Sequence, residues 1–377
     1  MKFRRMKLRY AAAALALVVL GCSTESGPKP AQLTALEHEQ PIKVLWTASA
    51  GDGDRYVFAP ALVETGLYTA ARDGTVKRFD PSNGRSIWSV AAGVRLSGGV
   101  GADSRTVVVA NEEGEVIALD AESGKRRWTA RASSEVIAAP AVGAGLVLVR
   151  SIDNRVFAFG DQDGKRRWVY QRAPSSLIIR TPAGITIDAE TAFAGFAGGK
   201  LAAIQLSNGG VRWEATVALP KGGTELERVA DVVGDPVVQG REVCAATYQG
   251  RVGCYEVANG RQVWARDISS LTGVSLDARY AFVSDERGAV QAFDRSNGRS
   301  VWKQDKLAHR QLSLPVPFGE LVAVGDFEGY VHFLARDTGA FVARFPTGSG
   351  PVRAAPRAIP GGLLVETQSG SLHALGL

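Results

Sequence analysis

The chain has 377 residues, 45% of them hydrophobic, with 43 glycines and a formal charge of +6. That composition suits many short strands and tight turns, and the absence of heptads or a long amphipathic helix excludes a coiled coil. The charge does not indicate a nucleic-acid partner: Lys2, Arg4, Arg5, Lys7 and Arg9 fall in the first nine residues, and without them the chain carries about +1.

Those cations precede an apolar run, Tyr10 to Leu20, too short for an ordinary membrane span, so residues 1–21 read as a signal peptide. Val19-Leu20-Gly21-Cys22 closes the run with a small residue and a cysteine and resembles a bacterial lipobox. The resemblance implies cleavage before Cys22 and its lipidation. Ser23 stands where an aspartate favours inner-membrane retention in such lipoproteins, which implies the outer membrane. Residues 22–41 are polar and punctuated by proline and glycine, as expected of a flexible tether, and the folded domain is expected over 42–377.

From there one frame recurs. Gly114 to Trp128 reads G-E-V-I-A-L-D-A-E-S-G-K-R-R-W, and the same spacing returns at Gly74–Trp88, Asn154–Trp168, Gly199–Trp213, Gly250–Trp264 and Gly288–Trp302. A further copy, Gly329–Gly339, has Ala343 at the tryptophan position, and another begins at Gly370. Each copy reads as strand, turn and strand, with a hairpin upstream, giving four strands in about 40 residues, the period of a propeller blade. Ile42-Lys-Val-Leu-Trp46 resembles a last strand without its own blade, and the final copy lacks one. Joining them closes an all-β, eight-bladed propeller of four-stranded antiparallel blades. Trp46, Trp88, Trp128, Trp168, Trp213, Trp264 and Trp302 are then structural residues packed between blades.

Two stretches break the economy of the ring. Ser175 to Pro182 brings Leu177, Ile178, Ile179 and Arg180 to the entry of blade 4, and Val217 to Val232 lengthens the connection into blade 5. In antiparallel blades the last-to-first-strand connections emerge on one face, so the two stretches are expected as neighbours, an apolar knob with an arginine beside Glu225, Glu227 and Asp231. Cys244 and Cys254 share a hairpin of blade 5. A two-residue turn at Gln249-Gly250 points the thiols to opposite faces, whereas one extra turn residue sets them opposite each other, and the bond is left open.

No catalytic constellation emerges. His38, His309, His332 and His373 are scattered, with no H-E-x-x-H, G-x-S-x-G or clustered ligands, and no metal or cofactor is expected. Lys125-Arg126-Arg127 and Lys165-Arg166-Arg167 recur at one blade position and read as a solvated rim.

The segments Ala118–Trp128 and Ala292–Trp302 resemble the tryptophan-docking repeat of pyrroloquinoline-quinone dehydrogenases, which implies an eight-bladed propeller. Those enzymes carry long inserted loops for quinone and calcium, and this chain has no room for them. With a lipobox, Thr224–Val232, Leu307–Arg310 and Val324–His332, the chain resembles the BamB family, lipoproteins of the outer-membrane β-barrel assembly machinery. Membership implies a non-enzymatic scaffold on the periplasmic face of the outer membrane, bound to the POTRA domains of BamA within the Bam complex and assisting unfolded barrel clients. The family's Leu-x-Leu-Arg and Asp-x-Asp contact segments fall here on Leu177, Ile179 and Arg180, and on Asp231, with Val233 in place of the second aspartate and Asp235 nearby. Asp231 is expected to complete a polar rim. A propeller binding a glycan or a quinone is the alternative.

Overall fold

Short apolar runs separated by Asx-containing turns fold as strands, each pairing with the next run along the chain. The computed structural model describes residues 28–173 and 177–376; Cys22 and the signal-peptide segment lie outside them. In blade 2, Gly98–Ala102, Thr106–Ala110, Glu115–Asp120 and Arg126–Arg131 form strands A to D of one antiparallel sheet. Its C–D turn is closed by Asp120, whose carboxylate accepts the Ser123 amide at 2.8 Å and hydroxyl at 2.6 Å. The described strands make eight such four-stranded sheets. First strands of neighbouring blades touch one another, which places them nearest the axis.

Ring closure is as expected. Lys43–Ser49 pairs with Ser371–Gly376 as the outer strand of blade 8, beside Gly362–Glu366 and Arg357–Ile359.

The core lies between blades. Leu148, Val156 and Trp168 of blade 3, for example, share one cluster with Ile185, Phe196 and Ile204 of blade 4. Every outer strand carries a bulge just before the tryptophan position: Ala118 pairs with Trp128 while Leu119 pairs with Arg126, leaving Arg127 unpaired. The bulge turns the tryptophan into the seam and its predecessor outward, which accounts for exposed Ile87 and Val301. Each of the seven tryptophans donates its indole N–H to a carbonyl of the next blade's C–D turn at 2.6–3.2 Å. The ring face lies against the glycine of that turn; at Gly260, with φ +72°, a Cβ would sit 2.5 Å from Trp213. Burial of each indole contributes about 4–6 kcal/mol of apolar transfer as an upper estimate.

The seam between blades 7 and 8 is the one without a tryptophan. Ala343 pairs with Phe333 as Trp128 pairs with Ala118. No C–D turn exists in blade 8 to receive an indole, because its third and fourth strands come from opposite ends of the fold. Ile42 packs there instead, with Phe345 and Val342.

The packed unit begins at Ala31, upstream of the Ile42 start expected from the repeat. Ala31 donates to Ala308 O at 2.8 Å, and Gln40 donates to Val342 O at 3.0 Å. Glu39 accepts the Arg344 amide at 2.9 Å, so this strap lies along the outer strand of blade 7, Phe341–Pro346. Beneath it Arg310, 2% exposed, reaches Ala31 O at 3.0 Å and Asp326 at 2.7 Å, and Asp326 also meets His332 Nε2 at 2.9 Å.

Candidate docking surface

Leu177 to Arg180 forms no strand; the inner strand of blade 4 starts at Ile185. The segment is held from both sides. On one side Asp231, at the end of the long connection into blade 5, accepts the Ile179 amide at 2.8 Å and the Gly198 amide at 3.1 Å. On the other, Arg180 donates to Glu135 at 2.7 Å. The expected adjacency of the two connections is therefore present.

The expected polar rim is not formed by Asp231, which is only 5% exposed. Its carboxylate is consumed by backbone amides and attracts the half-buried guanidinium of Arg150, whose pKa desolvation pulls down to about 10 against that attraction. A carboxylate with two amide donors is satisfied inside the protein, so Asp231 positions the surface. Val233 is buried, and Asp235 turns to blade 4, accepting the Gly184 amide at 2.8 Å. What the segment presents outward is Leu177, 40% exposed, and the Arg180 side chain, 55% exposed; Ile179 is half-buried.

Glu135, Tyr56 and Glu112 extend the polar floor towards blade 1. Tyr56 Oη lies 3.2 Å from Glu135 and donates to Glu112, which also takes Arg72 at 2.8 Å. The hydrogen bond from Tyr56, then that from Arg72, holds the Glu112 carboxyl down at about 2. Neither Glu135 nor this floor stood out in the sequence, because each member lies in a different connection and no local spacing links them.

The Val217–Val232 connection ends in a short capped turn. Thr224 Oγ1 accepts the Glu227 amide at 3.3 Å, and Glu227 accepts the Thr224 and Gly223 amides at 3.1 and 2.7 Å, a capping box. Its pattern, Thr-x-x-Glu, was available in the sequence. Cys244 and Cys254 face each other in register and are bonded, both fully buried. The turn between them has the extra residue, with Gln249 at φ +47°. Among the described residues no group of three or more His, Cys, Asp or Glu is arranged to hold a metal ion.

A closed eight-bladed ring with indole-docked seams and a connection face built around one buttressed loop defines a propeller scaffold of the quinoprotein-repeat type. The family profile described as outer membrane protein assembly factor BamB matches residues 72–304. A relative of that name from Bordetella pertussis is 45% identical over 361 residues, covering 94% of this chain and 93% of its own. The crystal structure of BamB from Moraxella catarrhalis superposes with a TM-score of 0.82 at 26% identity, over 89% of this chain and all of that one. The quinohemoprotein alcohol dehydrogenase of Comamonas testosteroni, at 14% identity and a TM-score of 0.69, covers 89% of this chain and 76% of its own and shares the fold alone. The chain belongs to the BamB family of outer membrane protein assembly factors.

Proposed function

We propose that the chain is a non-enzymatic scaffold of the outer-membrane β-barrel assembly complex that docks on the POTRA domains of BamA through Leu177, Ile179 and Arg180 and assists insertion of barrel proteins. The observation that supports this most is the buttressing of one short, partly apolar loop by two buried carboxylates, Glu135 and Asp231, from neighbouring connections. A loop fixed in this way loses little conformational entropy on binding. The name of the relatives, outer membrane protein assembly factor, points the same way.

In this reading residues 1–21 are removed and Cys22 is lipidated, anchoring the chain to the outer membrane on its periplasmic side. Shared anchoring raises the effective concentration of the partners, so a modest direct affinity suffices. Unfolded client strands pair with exposed outer strands of the blades by β-augmentation. The reading calls for no cofactor and no metal.

The test is a pull-down of the mature chain with the soluble POTRA region, comparing wild type with Leu177→Ala and Arg180→Ala. Loss of binding by folded variants is expected. Equal binding by both variants removes the site assignment. A folded wild type that does not bind shifts weight to the glycan or quinone readings, which a glycan column and quinone-dependent absorbance then distinguish.

A further inference from the structure

Ten large hydrophobic side chains are exposed among the described residues, and six of them lie on outer strands of blades. The other four, Leu177, Leu219, Leu226 and Leu271, fall on three consecutive last-to-first-strand connections, those entering blades 4, 5 and 6, and hence on one face. Leu226 is the most exposed, at 73%, yet the turn that carries it is tied at several points. The capping box closes the start of its turn, and Arg228 Nε ties the turn to Gly222 O at 3.0 Å. Gln249, from the B–C turn of blade 5, closes the other end. Oriented to satisfy the carbonyls around it, its amide nitrogen lies 3.2, 3.1 and 3.1 Å from the oxygens of Leu226, Glu227 and Val229, and its oxygen accepts from Tyr248.

Both ends of a single helical turn are thus capped, and the turn displays a leucine to solvent. A merely tolerated insertion has no need of such caps, whereas a binding anchor gains from them because its ordering cost is met before the partner arrives. Resting on the reading that the Leu177–Arg180 segment contacts the POTRA domains, we propose that Leu226 is a second anchor of the same interface, entering an apolar cleft on that folded partner.

Three features favour this occupant. The connection that carries Leu226 ends at Asp231, whose carboxylate holds the Ile179 amide, so knob and loop move as one surface. The stretch 217–232 holds Lys221 and Arg228 against Glu225, Glu227 and Asp231, so it has no basic excess to hold it on an anionic bilayer. Its polar groups are largely committed to the turn, which leaves the apolar side chain as the recognisable element.

The experiment measures affinity of the mature chain for purified soluble POTRA domains, using wild type, Leu226→Ala, Leu226→Ser, Gln249→Ala, Leu177→Ala and Glu225→Gln, with melting temperatures as the check on folding. Both Leu226 substitutions are expected to weaken binding roughly tenfold or more at unchanged melting temperature. Gln249→Ala should weaken it by about threefold, through loss of order in the turn, and Glu225→Gln should bind as wild type. Weakening by Leu177→Ala alone overturns the second anchor and leaves the first intact. Failure of wild type to bind removes both. Self-association of the wild type in sedimentation that Leu226→Ser abolishes, with POTRA binding unchanged, also overturns the proposal and assigns the knob to a second copy of this chain.

Discussion

The Asp231 carboxylate accepts the Ile179 amide at 2.8 Å, so an acid from the connection into blade 5 fixes the backbone of the loop into blade 4. Removing it leaves two amides without an acceptor and Arg150 without its nearby anion, at a cost of about 1–3 kcal/mol. Asp231→Ala is therefore expected to speed hydrogen exchange at Ile179 and Gly198 and to weaken partner binding. Leu177→Ala should weaken binding with exchange unaltered. Unchanged exchange in Asp231→Ala would mean that the acid does not position the loop.

Trp213 and Gly260 form one unit across the seam between blades 4 and 5. Trp213→Ala should cost about 3–5 kcal/mol in denaturant unfolding. Gly260→Ala combines a positive φ with a Cβ 2.5 Å from the indole and should cost about 2–4 kcal/mol. Part of that second cost is contact with the ring, so in a Trp213→Ala background the glycine substitution should cost less. Full additivity in the double-mutant cycle would refute the coupling.

Arg310, Asp326 and His332 make a buried network under the N-terminal strap. Asp326→Asn removes one of the two carboxylates paired with a guanidinium that is 2% exposed, the other being Glu328, and should cost about 2–3 kcal/mol. Burial lowers the His332 pKa below 6.5, outweighing the pull of Asp326 in the other direction. A base with a depressed folded pKa contributes stability that is present above 6.5 and lost as pH falls through the window below it. Thermal melts of wild type should therefore lose stability on going below that pH, and His332→Gln should flatten this part of the profile.

Glu366, at the end of the second strand of blade 8, is 6% exposed and has one carboxylate oxygen without a partner. Burial pushes its pKa well above 4.5. An acid with a raised folded pKa favours the fold below its unfolded value, and that contribution is lost as pH rises through the folded value. Glu366→Gln should accordingly be more stable than wild type at neutral pH, with the advantage gone near pH 4, as read by urea unfolding at both pH values. An equal difference at both pH values would show that the carboxyl charge is not responsible.

The ring was legible because it repeats. Tryptophan, turn and glycine return at a fixed period, and the stray strand around Trp46 fits the one vacancy that the period leaves. What escaped is what the period does not encode. Asp231 sits beside an apolar loop in sequence-blind fashion, and only the fold reveals that it faces inward. Gln249 caps a turn some twenty residues away, and nothing in its own hairpin signals that. The cysteine pairing hung on one residue of turn length, set by a left-handed Gln249 that alternation alone does not specify. The strap from Ala31 to Pro41 has tether-like composition, and its few apolar anchors, such as Leu33, carry no periodicity.

The seam at Ala343 bears on the order in which the molecule is made. Lys43–Ser49 leaves the ribosome before any blade exists, yet its hydrogen-bonding partner, Ser371–Gly376, is among the last segments synthesised. Seven seams acquire their indole latch as successive repeats emerge, the one at Trp46 included, but blade 8 stays a strand short until the last segment is made. Until then the early strand lacks its hydrogen-bonding partner, and Val44 and Leu45, which stay exposed even in the closed ring, make it an unpaired apolar edge.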